Sequence, residues 1–109
     1  MKSLVITCDY EIFQTGTGDV RKCIIDPTYK LLKICDSYGA KLTIFFDVCE
    51  YLAFKEAEEN NQLTHLNYSP SGLMREQIEV AIKSSHDVQL HLHPHWLDAK
   101  YVHHSWSLN

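Results

Sequence analysis

The sequence predicts an α/β domain with the order β-α-β-α-β around a parallel sheet. Three observations lead there. Short apolar, partly β-branched runs occur at residues 4–8 (LVITC), 42–46 (LTIFF) and 88–92 (VQLHL). Between them lie stretches of helical periodicity bounded by residues that start and stop helices. Strands separated by helices pair in parallel through right-handed crossovers.

The first strand is expected to stop at Asp9, before a polar, Gly-containing loop over 14–19 (QTGTGD). A helix should begin at Asp26, with Asp as N-cap and Pro27 at the first helical position, where its missing N–H costs nothing. Leu31, Ile34, Cys35 and Tyr38 follow at i, i+3, i+4 and i+7, which predicts one buried stripe. Gly39 then supplies the left-handed residue that ends the helix. After the second strand, Asp47 and Glu50 stand three residues apart, as in a capping box, and open a helix to about residue 59. Residues 60–70 are polar and carry no periodic pattern. A third helix is expected from near Ser71, with Met74, Ile78, Ala81 and Ile82 on one face, leading to the third strand.

The chain has 109 residues, 45% hydrophobic and 22% charged, enough for one domain over 1–109 with its own core. A net charge of −4 offers no basic surface for nucleic acid. No apolar run approaches the ~20 residues needed to span a membrane. Met1-Lys2-Ser3 leads directly into the first strand without a secretory signal, so a cytoplasmic protein is expected. Cys8, Cys23, Cys35 and Cys49 are spread singly, which excludes a zinc ribbon or a CxxC redox motif. Cys8, Cys35 and Cys49 sit in apolar stretches and read as small buried hydrophobes.

Histidine is the compositional anomaly: of seven, all but His65 lie between His86 and His104. In the third strand, alternation puts Gln89, His91 and His93 on one face, and Pro94 turns the chain so that His95 stays near the strand mouth. A lone histidine at a strand end is ordinarily solvated. Three at i, i+2 and i+4 match the needs of a borderline divalent metal. At the first strand's end, Thr7-Cys8-Asp9-Tyr10-Glu11 brings two carboxylates, one able to ligate and the other to take a proton from water. Asp47 is explained as a helix cap, with a site role as the alternative. Trp96, Trp106, His103 and His104 read as packing, with Trp96 also placed to line a pocket. There is no P-loop, GxGxxG or GxSxG.

With these motifs the chain resembles the polysaccharide deacetylase family (NodB-homology, carbohydrate esterase family 4). Thr7-Cys8-Asp9-Tyr10-Glu11 looks like a divergent D-x-E form of the family's first motif. Thr43-Ile44-Phe45-Phe46 looks like its second strand, and the run from Ser85-His86-Asp87 to His91-Leu92-His93-Pro94-His95 looks like its H-x-x-x-H segment. The resemblance implies the N-terminal part of a distorted (β/α) barrel, incomplete at the C-terminus, since such barrels run to ~200 residues or more. It implies Asp9 as general base, and Glu11, His91 and His95 as ligands of a divalent metal, zinc above all. Strand alternation instead pairs His91 with His93. The implied activity is hydrolytic removal of N-acetyl groups from a sugar or oligosaccharide. Glu11 stands where the family usually has Asp, and the only arginines, Arg21 and Arg75, match no later family motif.

Two other readings fit the same residues. One is a non-catalytic metal-binding or interaction module of this fold. The other is a metal-dependent amide or phosphoester hydrolase of another α/β-barrel family. Unpaired sheet edges also predict self-association into a homo-oligomer.

Overall fold

The computed structural model describes residues 1–108. Its centre is a parallel sheet of β1 (Ile6–Tyr10), β2 (Leu42–Asp47) and β3 (Asp87–His91), in the spatial order β1-β2-β3. Helix α1 (Asp26–Ser37) joins the first two strands, and α2 (Val48–Glu59) with α3 (Pro70–Lys83) joins the last two. A sheet whose strands run in sequence order, each crossover right-handed, carries all its helices on one face. The α/β class and the three-stranded parallel sheet are as expected, with two helices, α2 and α3, between β2 and β3 where the β-α-β-α-β order has one. The sheet is open, and no barrel closes among the described residues.

The strand pleat separates two faces. Ile6, Cys8 and Tyr10 share the helix-covered face with Leu42, Ile44 and Val88, and Leu42 and Ile44 are completely buried there. Truncating either to alanine would cost ~2–5 kcal/mol. The opposite face carries Thr7, Asp9, Thr43, Phe45, Asp87 and Gln89, of which Thr7, Asp9, Asp87 and Gln89 are exposed. At the edge of β3, Leu90 and neighbouring Leu92 are exposed.

Several local expectations need correction. The first strand starts at Ile6 rather than Leu4, since Ile6 is the first residue with a partner in β2; Leu4 and Val5 are exposed. Asp9 therefore lies within the strand, which continues to buried Tyr10. Asp26 does not cap α1. A π-helical turn, Arg21–Ile25, runs straight into the helix, and Asp19 caps it by accepting from the Lys22 N–H at 2.9 Å. The wide turn has a reason: Pro27 has no N–H to give to Cys23, and its ring would crowd that carbonyl in a regular helix.

The continuous helix also shifts the buried face of α1. Thr28, Leu32 and Cys35 are buried, Leu31 is half-buried, and Ile34 and Tyr38 are exposed at 56% and 84%. Packing of Ile24 and Ile25 sets this phase, and the Thr28 methyl counts toward it although apolar counting passed over it. Gly39 takes φ +64° after the helix, as expected.

In α3 the buried face is Met74, Gln77 and Ala81, with Ile78 half-buried and Ile82 exposed at 57%. Gln77 is fully buried because its amide is used at both ends. It donates to the Ile25 carbonyl at 2.8 Å and accepts from the Tyr10 hydroxyl at 2.7 Å. A buried polar group satisfied in this way costs little and ties α3 to both β1 and the π-turn.

The unassigned segment after α2 ends in Ser69, which caps α3 by accepting from the Gly72 N–H at 3.0 Å. Past β3, a 3-10 turn (Pro94–Trp96) leads to a hairpin of β4 (Lys100–Val102) and β5 (Ser105–Ser107). His103 and His104 form its two-residue turn with φ +51° and +59°, the type I′ geometry that suits the strand twist. Trp106 fastens the hairpin to α2 and the 3-10 turn, with ring centroids 5.0 Å from Phe54 and 5.1 Å from Trp96. Among the described residues, all four cysteines are free thiols, and no helix is long and apolar enough to cross a membrane.

Candidate metal centre

The strand register assembles the site. Tyr10 pairs with Phe46, and Asp47 pairs with His91, so Glu11, Asp47 and His91 arrive at one level across three adjacent strands. Residues at one level share a pleat direction. Neighbouring strands are ~4.8 Å apart, which leaves a gap of roughly two strand widths between Glu11 and His91. Asp47, fully buried on the central strand, occupies the floor of that gap. The chain after β3 bends back over it, and the His93 N–H donates to Asp47 Oδ1 at 3.4 Å.

His93 is the hub. Its Nδ1 lies 2.5 Å from Glu11 Oε2 and 3.1 Å from Asp47 Oδ2, and its Nε2 lies 3.0 Å from His91 Nε2. One donor atom from each of Glu11, His91 and His93 falls within 4.8 Å of the others. The 3.0 Å between the two Nε2 atoms is a hydrogen-bond distance, a little shorter than the roughly 3.4 Å that two nitrogens ~2.1 Å from a tetrahedral cation would keep. Two histidines and one carboxylate form the donor set of metal centres that keep an open position for chemistry. His93 Nδ1, Glu11 Oε2 and Asp47 Oδ2 are buried, yet their close approaches lack hydrogen-bond alignment. Buried polar atoms in that state mark a place suited to an ion or a water.

Asp47 has two tasks. Oδ1 caps α2 by accepting from the N–H groups of Cys49 and Glu50 at 3.1 and 3.3 Å, and Oδ2 faces His93. A carboxylate behind a ligating imidazole fixes its tautomer and its direction. The expected capping box is only half formed. Glu50 does not return to Asp47, whose own N–H belongs to the strand; its Oε1 accepts from Ile12 N–H at 2.9 Å instead.

Electrostatics follow from this crowding of acids. Burial pushes the Glu11 carboxyl above its usual range, with Asp47 and Asp9 adding to the rise and His93 opposing it. Burial pushes Glu50 up to about 8, against the pull of the Ile12 N–H. Sequence reasoning had seen Glu50 only as a capping residue. A glutamate in the first turn of a helix beside two other acidic motifs was the available signal.

The remaining expected residues separate clearly. Asp9 is exposed on the strand face shared with Glu11, and the two line a cleft of about 430 Å³ with Phe13, Gln14 and Lys22. His95 stands outside the converging group, its ring 5.3 Å from that of His93, with a buried Nε2 that has no hydrogen-bond partner among the described residues. Trp96 is buried against Phe54 and Trp106 and supports His95, 6.0 Å away, from behind. His65, His103 and His104 belong to the hairpin region; His65 and His104 stack at 3.8 Å. His86 is structural: Nδ1 accepts from the Leu42 N–H at 3.0 Å, so Nε2 carries the proton toward Asp36 at 2.7 Å.

Comparison of the chain with models of known protein families, with curated proteins and with solved structures gives no match.

Proposed function

We propose that this chain is a metal-dependent hydrolase that removes N-acetyl groups from a carbohydrate, a C–N bond hydrolase of polysaccharide deacetylase type. The observation that carries the metal-dependent part is the convergence of Glu11, His91 and His93 above Asp47 at the carboxyl ends of three parallel strands. Ligand sites in parallel α/β sheets lie at those ends. The sugar and the acetyl group rest on the resemblance of the first-strand and third-strand motifs to that family.

In this reading Glu11, His91 and His93 hold the cation, zinc in the first instance, with His95 the adjacent further donor. The bound cation would supply Lewis-acid chemistry, polarising a carbonyl and making water nucleophilic near neutral pH. Asp47 is a positioning residue that holds the His93 ring. Asp9, exposed at the cleft and beside Glu11, takes the proton from the attacking water. Phe13 and Lys22 at the cleft offer an apolar face and a cation to a sugar's ring and its polar substituents. The three strands are the opening segment of a (β/α) barrel, and their bare edges pair with a second copy of the chain.

The test is elemental analysis of the purified chain together with acetate release from N-acetylated oligosaccharides. Near-stoichiometric zinc and acetate release, both lost in His91→Ala, are expected. Absence of metal after reconstitution overturns the reading. Stoichiometric metal without acetate release leaves a metal-binding module. Light scattering tests the pairing of copies, for which a strictly monomeric chain is the contrary result.

A further inference from the structure

Four buried polar atoms without hydrogen-bond alignment share one neighbourhood: Glu11 Oε2, Asp47 Oδ2, Glu50 Oε2 and His93 Nδ1. The group Glu11, His91 and His93 accounts for only part of them. Glu50 lies outside that group, yet it is 1% exposed and its buried Oε2 has no hydrogen-bond partner among the described residues. Its other oxygen is taken by the Ile12 N–H, so it cannot turn to satisfy both. One oxygen each from Glu11, Asp47 and Glu50 lies within 4.8 Å of the other two. Burying an unpaired carboxylate is strongly unfavourable, and such groups are paired, protonated or bound to a metal. No lysine or arginine forms an ion pair with any of the three among the described residues; His93 is the sole partner.

We propose a second cation position beside the first, held by Glu11, Asp47 and Glu50 and sharing Glu11 as a bridge. The two positions flank the His93 ring, the nitrogen-rich one at Nε2 with His91 and the oxygen-rich one on the Nδ1 side. Their chemistries differ. Imidazoles with one carboxylate favour zinc, whereas three carboxylates favour a hard cation such as Mn²⁺, Mg²⁺ or Ca²⁺. The proposal rests on the metal-centre reading above for its first position and on Glu50 for its second.

Metal-stripped protein is given one equivalent of Zn²⁺, then excess Mn²⁺, and bound metal is counted after desalting. The wild type is expected to hold one zinc and one manganese, and Glu50→Gln to hold zinc alone. The amide oxygen keeps the Ile12 contact in this variant, and a cooperative melt verifies its fold. Glu50→Asp, which keeps the charge on a shorter arm, is expected to bind Mn²⁺ at least tenfold more weakly. A single equivalent in the wild type, lost in His91→Ala, overturns the second position and leaves the first standing. Two equivalents retained in Glu50→Gln also overturn it. No metal of either kind overturns both positions together.

Discussion

Replacing Glu50 with glutamine in the metal-free protein should change how stability depends on pH, and the size of the effect follows from burial. The carboxyl has its ordinary value of 4.5 in the unfolded chain and is pushed up to about 8 in the fold, mainly because it is withdrawn from water. Between these values the native state keeps a proton that the unfolded state releases. The unfolded state then binds fewer protons, so stability falls as pH rises through this window. At ~1.4 kcal/mol per pH unit, the penalty is about 3 kcal/mol at pH 7 and about 1 kcal/mol at pH 5. Glutamine has no proton to lose and can still accept from the Ile12 N–H. Urea unfolding of both proteins in chelator, at pH 5 and pH 7, isolates this group because every other titration is common to the two. The variant should gain about 2 kcal/mol relative to wild type between the two pH values. Parallel pH profiles would show that Glu50 is ionised at little cost, and the account of an acid held neutral by burial would fail.

Three further outcomes are expected. Asp9→Asn should keep the full metal content while acetate release falls by ~10²–10⁴-fold, the usual worth of a general base; unchanged turnover assigns the base elsewhere. His86→Ala strands the Leu42 N–H at the start of β2 and should destabilise the protein by ~1–3 kcal/mol in urea unfolding; a loss below about 0.5 kcal/mol would contradict that role. Ser85 follows α3 with φ +64°, a conformation that favours glycine, so Ser85→Gly should raise stability by up to about 1 kcal/mol, and a lower melting temperature would refute this.

How far the fold could be read from the sequence differs by element. The strands at 42–46 and 88–92 were legible because apolar, β-branched runs bounded by turn residues have few other uses, and their observed limits differ by a residue. The phase of α1 was not. Periodicity offered Leu31, Ile34, Cys35 and Tyr38, but the buried face runs through Thr28, Leu32 and Cys35. The π-turn before Pro27 and the seats of Ile24 and Ile25 set that rotation, and neither is a property of the helix alone. Gln77 was invisible for a related reason. A glutamine is buried only where donors and acceptors from distant segments meet it, here Tyr10 and Ile25.

The candidate site divides along the same line. Residue type and local spacing marked Asp9, Glu11, His91, His93 and His95 as the chemically capable set, because imidazoles and carboxylates at strand ends carry that capacity in their side chains. Which of them meet was decided by the register. Pairing of Asp47 with His91 sets the level of the strand ends, and the chain's bend at Pro94 folds His93 inward over Asp47 while His95 goes to the side of Trp96. Asp47, while still capping α2, and Glu50 are joined into one buried acidic group by the same assembly. Local sequence specifies what each side chain can do. Only tertiary structure sets distance and burial, and those decide which capacities combine, since Coulomb interactions, desolvation and metal coordination all depend on groups that lie far apart along the chain.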